Sequence, residues 1–344
     1  MLWTLFCLGS GYLNVLPVRA AEYVITPSIT LRETYDDSVY LEDTDDFEHR
    51  ISPALSLDAT TETAAWQATC AWDILEYQRQ DELDSVQQTY GLSGTLSPST
   101  LLQLNLSGRY AYDYTFASTL EESGVVAERS RRRSTTVAPG STIVLTPRNT
   151  LELSYQFNKT EYDLEDYDDY VVHGPNLTLS HDLKNERTRF LCVLGGNWTN
   201  FDQNDQDVRQ RTYRAQVGVD HQWTETLQVT LTAGAGYTES KFSRTELVFV
   251  PPGSVTTTTE TVKEDQTTFI LDGSLSWRLE PITFSVGVNR DIAPSIYGEV
   301  MTSDRISANL GYRLAEEVQF TLGTAYYRSE TGGLVEDAKW LSYS

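Results

Sequence analysis

From Glu22 onward the chain is dominated by a period of two. Its clearest run places Leu102, Leu104, Leu106, Gly108, Tyr110, Tyr112, Tyr114 and Phe116 on one face, with Gln103, Asn105, Ser107, Arg109, Ala111, Asp113 and Thr115 on the other. Side chains on a pleated backbone point to opposite faces in turn, so alternation of this length specifies a strand. The pattern recurs in Ile25–Tyr35, Ile51–Leu57, Trp66–Ile74, Val86–Leu96, Val137–Leu145, Leu151–Phe157 and Val171–Leu179. It continues in Phe190–Trp198, Tyr213–Val219, Leu227–Tyr237, Phe269–Trp277, Ile282–Val288, Ile306–Tyr312 and Val318–Tyr326. That makes about fifteen strands, with a sixteenth beginning near Trp340.

The connections alternate in kind. Thr61–Ala64, Ser97–Thr100, Thr146–Thr150, Asp182–Glu186, Thr224–Thr226, Glu280-Pro281 and Ala315–Glu317 are short. Asp36–Asp46, Gln78–Asp84, Ala117–Glu128, Thr160–Asp169, Asp202–Asp207, Thr238–Gln266, Asp291–Asp304 and Ser329–Ala338 are longer and mostly acidic. Short and long turns on alternating ends describe an up-and-down meander with one tight rim and one elaborated rim, the layout of outer-membrane barrels. The longest connection reads as a hairpin projecting past the rim, with Thr245–Val250 and Thr256–Val262 flanking Pro251-Pro252-Gly253.

Composition narrows the alternatives. Forty-nine acidic against 26 basic residues give a net charge of −23, which excludes a nucleic-acid partner, since binding there needs a basic face. Three cysteines are too few for a disulfide scaffold. A mean hydropathy of −0.37 and the lack of a long apolar run after the first twenty residues exclude transmembrane helices. They do not exclude a barrel, in which only alternate residues meet lipid. Several strands run beyond ten residues, as a tilted bilayer-spanning strand requires, and aromatic residues crowd strand ends, at Tyr110–Phe116 and at Trp223. The expected fold is therefore all-β: an antiparallel up-and-down transmembrane β-barrel of about sixteen strands. The competing soluble sandwich would turn the apolar face inward.

Residues 1–20 read as a secretory signal, apolar from Leu2 to Leu16 and cleaved after Val18-Arg19-Ala20, and residues 21–344 as the barrel domain. Within it, an acidic loop ending in Tyr167-Asp168-Asp169-Tyr170 enters a strand, turns at Asp182–Glu186 and returns to Asn197-Trp198-Thr199-Asn200-Phe201. The next hairpin repeats the scheme with Gln222-Trp223-Thr224-Glu225-Thr226 and Ala235-Gly236-Tyr237. Over Tyr162–Ser240 these hairpins resemble the outer-membrane β-barrel porin families of Gram-negative bacteria, including barrels associated with exopolysaccharide export. The resemblance implies a location in the bacterial outer membrane, lipid and lipopolysaccharide as surroundings, and no catalytic signature. Such barrels end on a strand with a terminal aromatic; here the chain stops at Lys339–Ser344, so the barrel is expected to be C-terminally truncated. Homo-oligomers are compatible with this class.

Candidate functional residues lie on the polar face. Asp73, Arg109, Asp113, Arg214, Asp220, Asp272, Arg278 and Arg313 are expected to line the pore, where opposed charges set selectivity; as cross-strand bridges they would instead be structural. The acidic loops offer carboxylates to Ca²⁺ but lack EF-hand spacing, and a solvated loop is the simpler reading. The basic run Arg129–Arg133 suits an anionic group or a balanced rim. His49, His173, His181 and His221 show no metal-ligand spacing, and no nucleophile elbow is present. No cofactor and no enzymatic reaction are expected. Cys70 and Cys192 fall on the apolar phase as filler. The expected function is passage of small solutes or exported polysaccharide through a polar lumen. The alternative is a structural or adhesive barrel that binds partners through its acidic loops.

Overall fold

Every long alternating segment of the sequence forms a strand. The computed structural model describes residues 21–36, 45–114, 129–164, 167–203, 206–250, 254–294, 300–315, 318–331 and 338–343; residues 1–20, expected as a signal, and most of the first and third long loops lie outside them. The strands are β1 Glu22–Asp36, β2 Asp46–Thr60, β3 Ala64–Tyr77, β4 Ser85–Ser99, β5 Leu102–Tyr114, β6 Arg131–Thr146, β7 Asn149–Tyr162 and β8 Asp169–Asp182. They continue with β9 Thr188–Gln203, β10 Gln206–Gln222, β11 Leu227–Val250, β12 Ser254–Leu279, β13 Ile282–Pro294, β14 Val300–Ala315, β15 Val318–Thr331 and β16 Ala338–Tyr343. Among the described residues a 3-10 turn, Asp81–Leu83, stands between β3 and β4.

Each strand pairs antiparallel with the next in sequence, in one sheet ordered β1 to β16. Sequential pairing keeps every ladder local, and it fixes which residues share a face. In β4 and β5, for example, Leu92 lies opposite Gly108 and Tyr90 opposite Tyr110. Pro53, Pro139 and Pro175 each fall where a ladder skips a pair, as expected for a residue with no N–H to donate. The β11–β12 hairpin does project beyond its neighbours, paired continuously from Leu227↔Trp277 to Val250↔Ser254.

The sheet curves toward its polar face. Arg214 on β10 reaches Asp291 on β13, with 2.7 Å between Nη1 and Oδ2. Three strand spacings, roughly 14 Å in a flat sheet, separate β10 from β13, and the gap is closed by the bend of the sheet together with the end of β13, which leaves β12 past Arg290. Side chains converge across that distance only on the concave side. The opposite, convex face carries the apolar residues in the open: Ile25 is 66% exposed, Val217 69% and Phe320 61%. Leaving such side chains in water forgoes about 1.5–3 kcal/mol each, so the convex face is built for hydrocarbon. Cys70 and Cys192 are free thiols on this apolar phase.

One region departs from the simple wall. The β12–β13 ladder stops at Leu271↔Arg290, whereas β13 stays paired with β14 as far as Pro294↔Val300. Past Arg290 the end of β13 leaves β12. Ile292, outward by alternation, is buried to 3% exposure together with the inward Ile270. Both approach Gly236, where an added Cβ would sit 2.6 Å from the Ile270 Cδ1 and 3.0 Å from that of Ile292. The end of β13 thus packs onto the concave side of β11 and β12.

At the long-loop rim, Asp46 is almost fully buried and ties two connections together. Its carboxylate accepts N–H groups from Phe47 (2.7 Å), Arg79 (3.1 Å) and Gln80 (3.0 Å). Burial pushes its pKa up, but the backbone donors at Arg79, Phe47, Gln80 and Gln78 outweigh this and hold it below the ordinary 3.8. Its contribution to stability is therefore complete above 3.8 and is lost as pH falls through the lower, folded value. Asp46→Ala is expected to speed proteolysis at this rim several-fold at neutral pH, and wild-type protein to approach the variant's cleavage pattern in strong acid. Identical patterns for the two proteins at neutral pH would show that the carboxylate does not hold the rim.

Candidate functional site

Alternation from the exposed apolar residues places all eight sequence-selected charges on the concave face: Asp73 on β3, Arg109 and Asp113 on β5, Arg214 and Asp220 on β10, Asp272 and Arg278 on β12, and Arg313 on β14. Among the described residues none of the eight pairs with another. Asp113 takes a bidentate fork from Arg132, with Nε at 2.9 Å and Nη2 at 3.0 Å; this geometry is both strong and orienting. Arg214 bridges Asp291 and the Asn197 side-chain oxygen, the latter at 3.2 Å. Asp220 accepts from Gln228 Nε2 (2.9 Å) and Thr230 Oγ1 (3.3 Å). Asp272 accepts from Asn289 Nδ2 at 3.2 Å, and the Ser52 hydroxyl donates to Asp73. Among the described residues Arg109, Arg278 and Arg313 make no side-chain ion pair or hydrogen bond.

The concave face has two zones. Toward the long loops it is a buried belt of hydroxyls and amides. Thr160 on β7, Thr199 on β9, Gln210 and Thr212 on β10, Thr238 and Ser240 on β11 and Thr268 on β12 are all buried. Within it the Thr212 and Thr238 hydroxyls lie 3.0 Å apart. Toward the short turns the face is more open and charged. There Arg189 donates to Asp182 at 2.7 Å, and Arg278 and Arg313 line an open cleft. A polar belt whose charges are paired, Arg132 with Asp113 and Arg214 with Asp291 at its border, followed by a more open charged mouth, can pass or hold hydrated solutes and discriminate among them by charge.

Sequence reading selected the charges, and Arg132 within the basic run as an anion site or a rim charge balancing nearby acids, but missed Ser52, Asn197, Gln228, Thr230, Asn289 and Asp291, which hold the others. Arg132 and Asp113 are register partners, yet the connection before β6 is too long to fix that register from sequence. Asp291 meets Arg214 because the end of β13, past Arg290, leaves β12 and comes in over the concave side. No residue pattern carries either fact.

The basic run is absorbed by the rim. Arg129 donates to the Glu82 and Leu83 carbonyls at 2.8 and 2.7 Å and stacks over the Tyr114 ring at 4.0 Å. Arg131 bonds the Tyr114 hydroxyl, Arg132 pairs with Asp113, and Arg133 pairs with Asp163 at 2.9 Å. The histidines have ordinary partners. His49 lies 3.3 Å from Glu33, His173 2.5 Å from the Tyr155 hydroxyl, His181 2.8 Å from Asn149 and His221 2.8 Å from Thr188. Among the described residues no group of three or more His, Cys, Asp or Glu side chains is placed to hold a metal ion. The acidic loop Glu42–Asp46 lies outside the described residues except for Asp45 and Asp46.

With its meandering sheet, apolar convex face and polar concave face, the chain has the fold of an outer-membrane β-barrel, and the location this fold implies is the bacterial outer membrane. Comparison with solved structures agrees on the fold. The siderophore receptor PiuA from Acinetobacter baumannii is 10% identical with a TM-score of 0.51, covering 90% of this chain and 57% of its own. The copper transporter OprC is 9% identical with a TM-score of 0.51, covering 94% of this chain and 58% of its own. The chain thus spans somewhat more than half the length of these structures. No protein-family profile matches the sequence, and no curated protein does.

Proposed function

We propose that the protein gives small hydrated solutes passage across the outer membrane along its concave face. The observation that carries this reading is the separation of faces. Lipid-compatible residues lie in the open on the convex side, while at the short-turn mouth only Arg189 and Asp182 neutralise each other among the described residues; Asp220 is hydrogen-bonded to neutral side chains and Arg278 and Arg313 have no ion-pair partner there. The fold shared with a siderophore receptor and a copper transporter supports transport as the class of activity. Exported polysaccharide would suit the hydroxyl- and amide-rich belt, since such groups exchange hydrogen bonds with sugar hydroxyls.

The second reading, a structural or adhesive barrel acting through its loops, is favoured by one observation: the belt toward the long loops is buried, and Ile292 packs across it onto Ile270. The two readings separate in planar bilayers. Protein folded in detergent and inserted into a bilayer is expected to give discrete conductance steps, with an ion selectivity that shifts when Arg109 is replaced by glutamate. Folded protein that inserts and gives no conductance would refute the passage.

A further inference from the structure

We infer that the cleft between Arg278 and Arg313 at the short-turn mouth is a binding site for a soluble oxyanion, such as a phosphate- or carboxylate-bearing solute. The inference rests on the reading of this face as water-filled, but not on conduction through it.

The register builds the site. Arg278 on β12 lies opposite Thr283 on β13, and Thr283 lies opposite Gly311 on β14. Arg313, two residues beyond Gly311 on the same face, is anchored by its N–H to the Pro281 carbonyl at 2.9 Å. The two arginines thus stand on either side of β13, two strand spacings across and two residues along, about 12 Å apart at the backbone. Between them Thr283 offers a hydroxyl, and Gly311 places no side chain in the gap. They line one cleft of about 390 Å³.

Charge points to the ligand. Neither guanidinium has a carboxylate partner among the described residues, although the chain carries 49 acidic residues and the nearby Arg189 is paired with Asp182. Among the described residues the one acid lining the cleft is Glu280, so the described lining sets two guanidiniums against one carboxylate. Guanidinium forks present paired N–H groups that match planar or tetrahedral oxyanions. In a barrel whose overall field repels anions, such a local pair is what would let an anion reside.

The test uses the full chain folded in neutral detergent. Inorganic pyrophosphate is titrated by calorimetry, in parallel with dihexanoyl-phosphatidylglycerol as a lipid-headgroup probe. Wild-type protein is expected to bind pyrophosphate with millimolar or better affinity that weakens with salt. R278Q/R313Q is expected to lose at least tenfold in affinity, and E280Q to gain several-fold. Folding of each variant is checked by its heat-dependent gel mobility. Because E280Q keeps both arginines, it tests the site even if the double variant does not fold. Absence of pyrophosphate binding, equal binding by folded R278Q/R313Q, or binding of the lipid probe alone would overturn the assignment. A protein that conducts but does not bind loses only the cleft; one that binds but does not conduct keeps it.

Discussion

Replacing Leu92 with arginine is expected to cost about 2–4 kcal/mol of folding stability in a bilayer, while the same change one residue along, at Ser93, stays within about 0.5 kcal/mol. Both residues are exposed, Leu92 at 44%, and both lie near the middle of β4. They differ only in face. Leu92 shares the convex phase with Tyr90 and Leu96, and Ser93 points to the concave side. In a water-soluble sheet an arginine at either exposed position would be nearly neutral. In a membrane the convex arginine must be dehydrated at mid-depth, and the concave one stays hydrated. Reversible denaturant titration of the protein folding into lipid vesicles measures both values. Equal costs at the two positions would remove the membrane assignment of the convex face.

The second large effect is expected at Gly234. A Cβ built there would run into the Ala215 carbonyl oxygen on β10 and lie 2.6 Å from the Gln216 Cα. Those atoms are backbone, so relief requires the β10–β11 ladder to move rather than a side chain to turn. Gly234→Val is expected to destabilise by about 1–3 kcal/mol or more, the range of overpacking. Ala235→Val, next in sequence but on the exposed convex face, is expected to change stability by about 0.5 kcal/mol or less. The same vesicle titration reads both. A tolerated valine at position 234 would mean that β10 and β11 do not approach each other this closely on the concave side.

These two comparisons mark the boundary of what the sequence discloses. Leu92 and Ser93 are separated by alternation alone, and the same arithmetic assigned a face to Asp73, Arg109, Asp113, Arg214, Asp220, Asp272, Arg278 and Arg313. The turn chemistry was equally plain: Glu280-Pro281 joins β12 to β13, and Thr146–Thr150 joins β6 to β7. At Gly234 and Gly236 the sequence shows only that small residues recur on the polar phase. It does not show that one is required by the Ala215 backbone and the other by Ile270 and Ile292.

The alternation of side chains is a property of one strand, and it reaches the sequence as a period of two. Strand number and the division into an apolar and a polar face follow from it, because each is a repetition of that local rule, and the order of neighbours follows from the short connections between successive strands. Curvature is not local. Nor is the departure of β13 from β12 past Arg290, which brings Asp291 to Arg214 across β11 and β12 and buries Ile292, an outward residue by its phase, on the inward Ile270. Curvature also sets the Arg278 and Arg313 side chains around one cleft. Strands far apart in the chain meet through space only once the sheet has bent and the end of β13 has left β12, so the faces were written in the sequence, and the contacts across the concave side were decided by the tertiary structure.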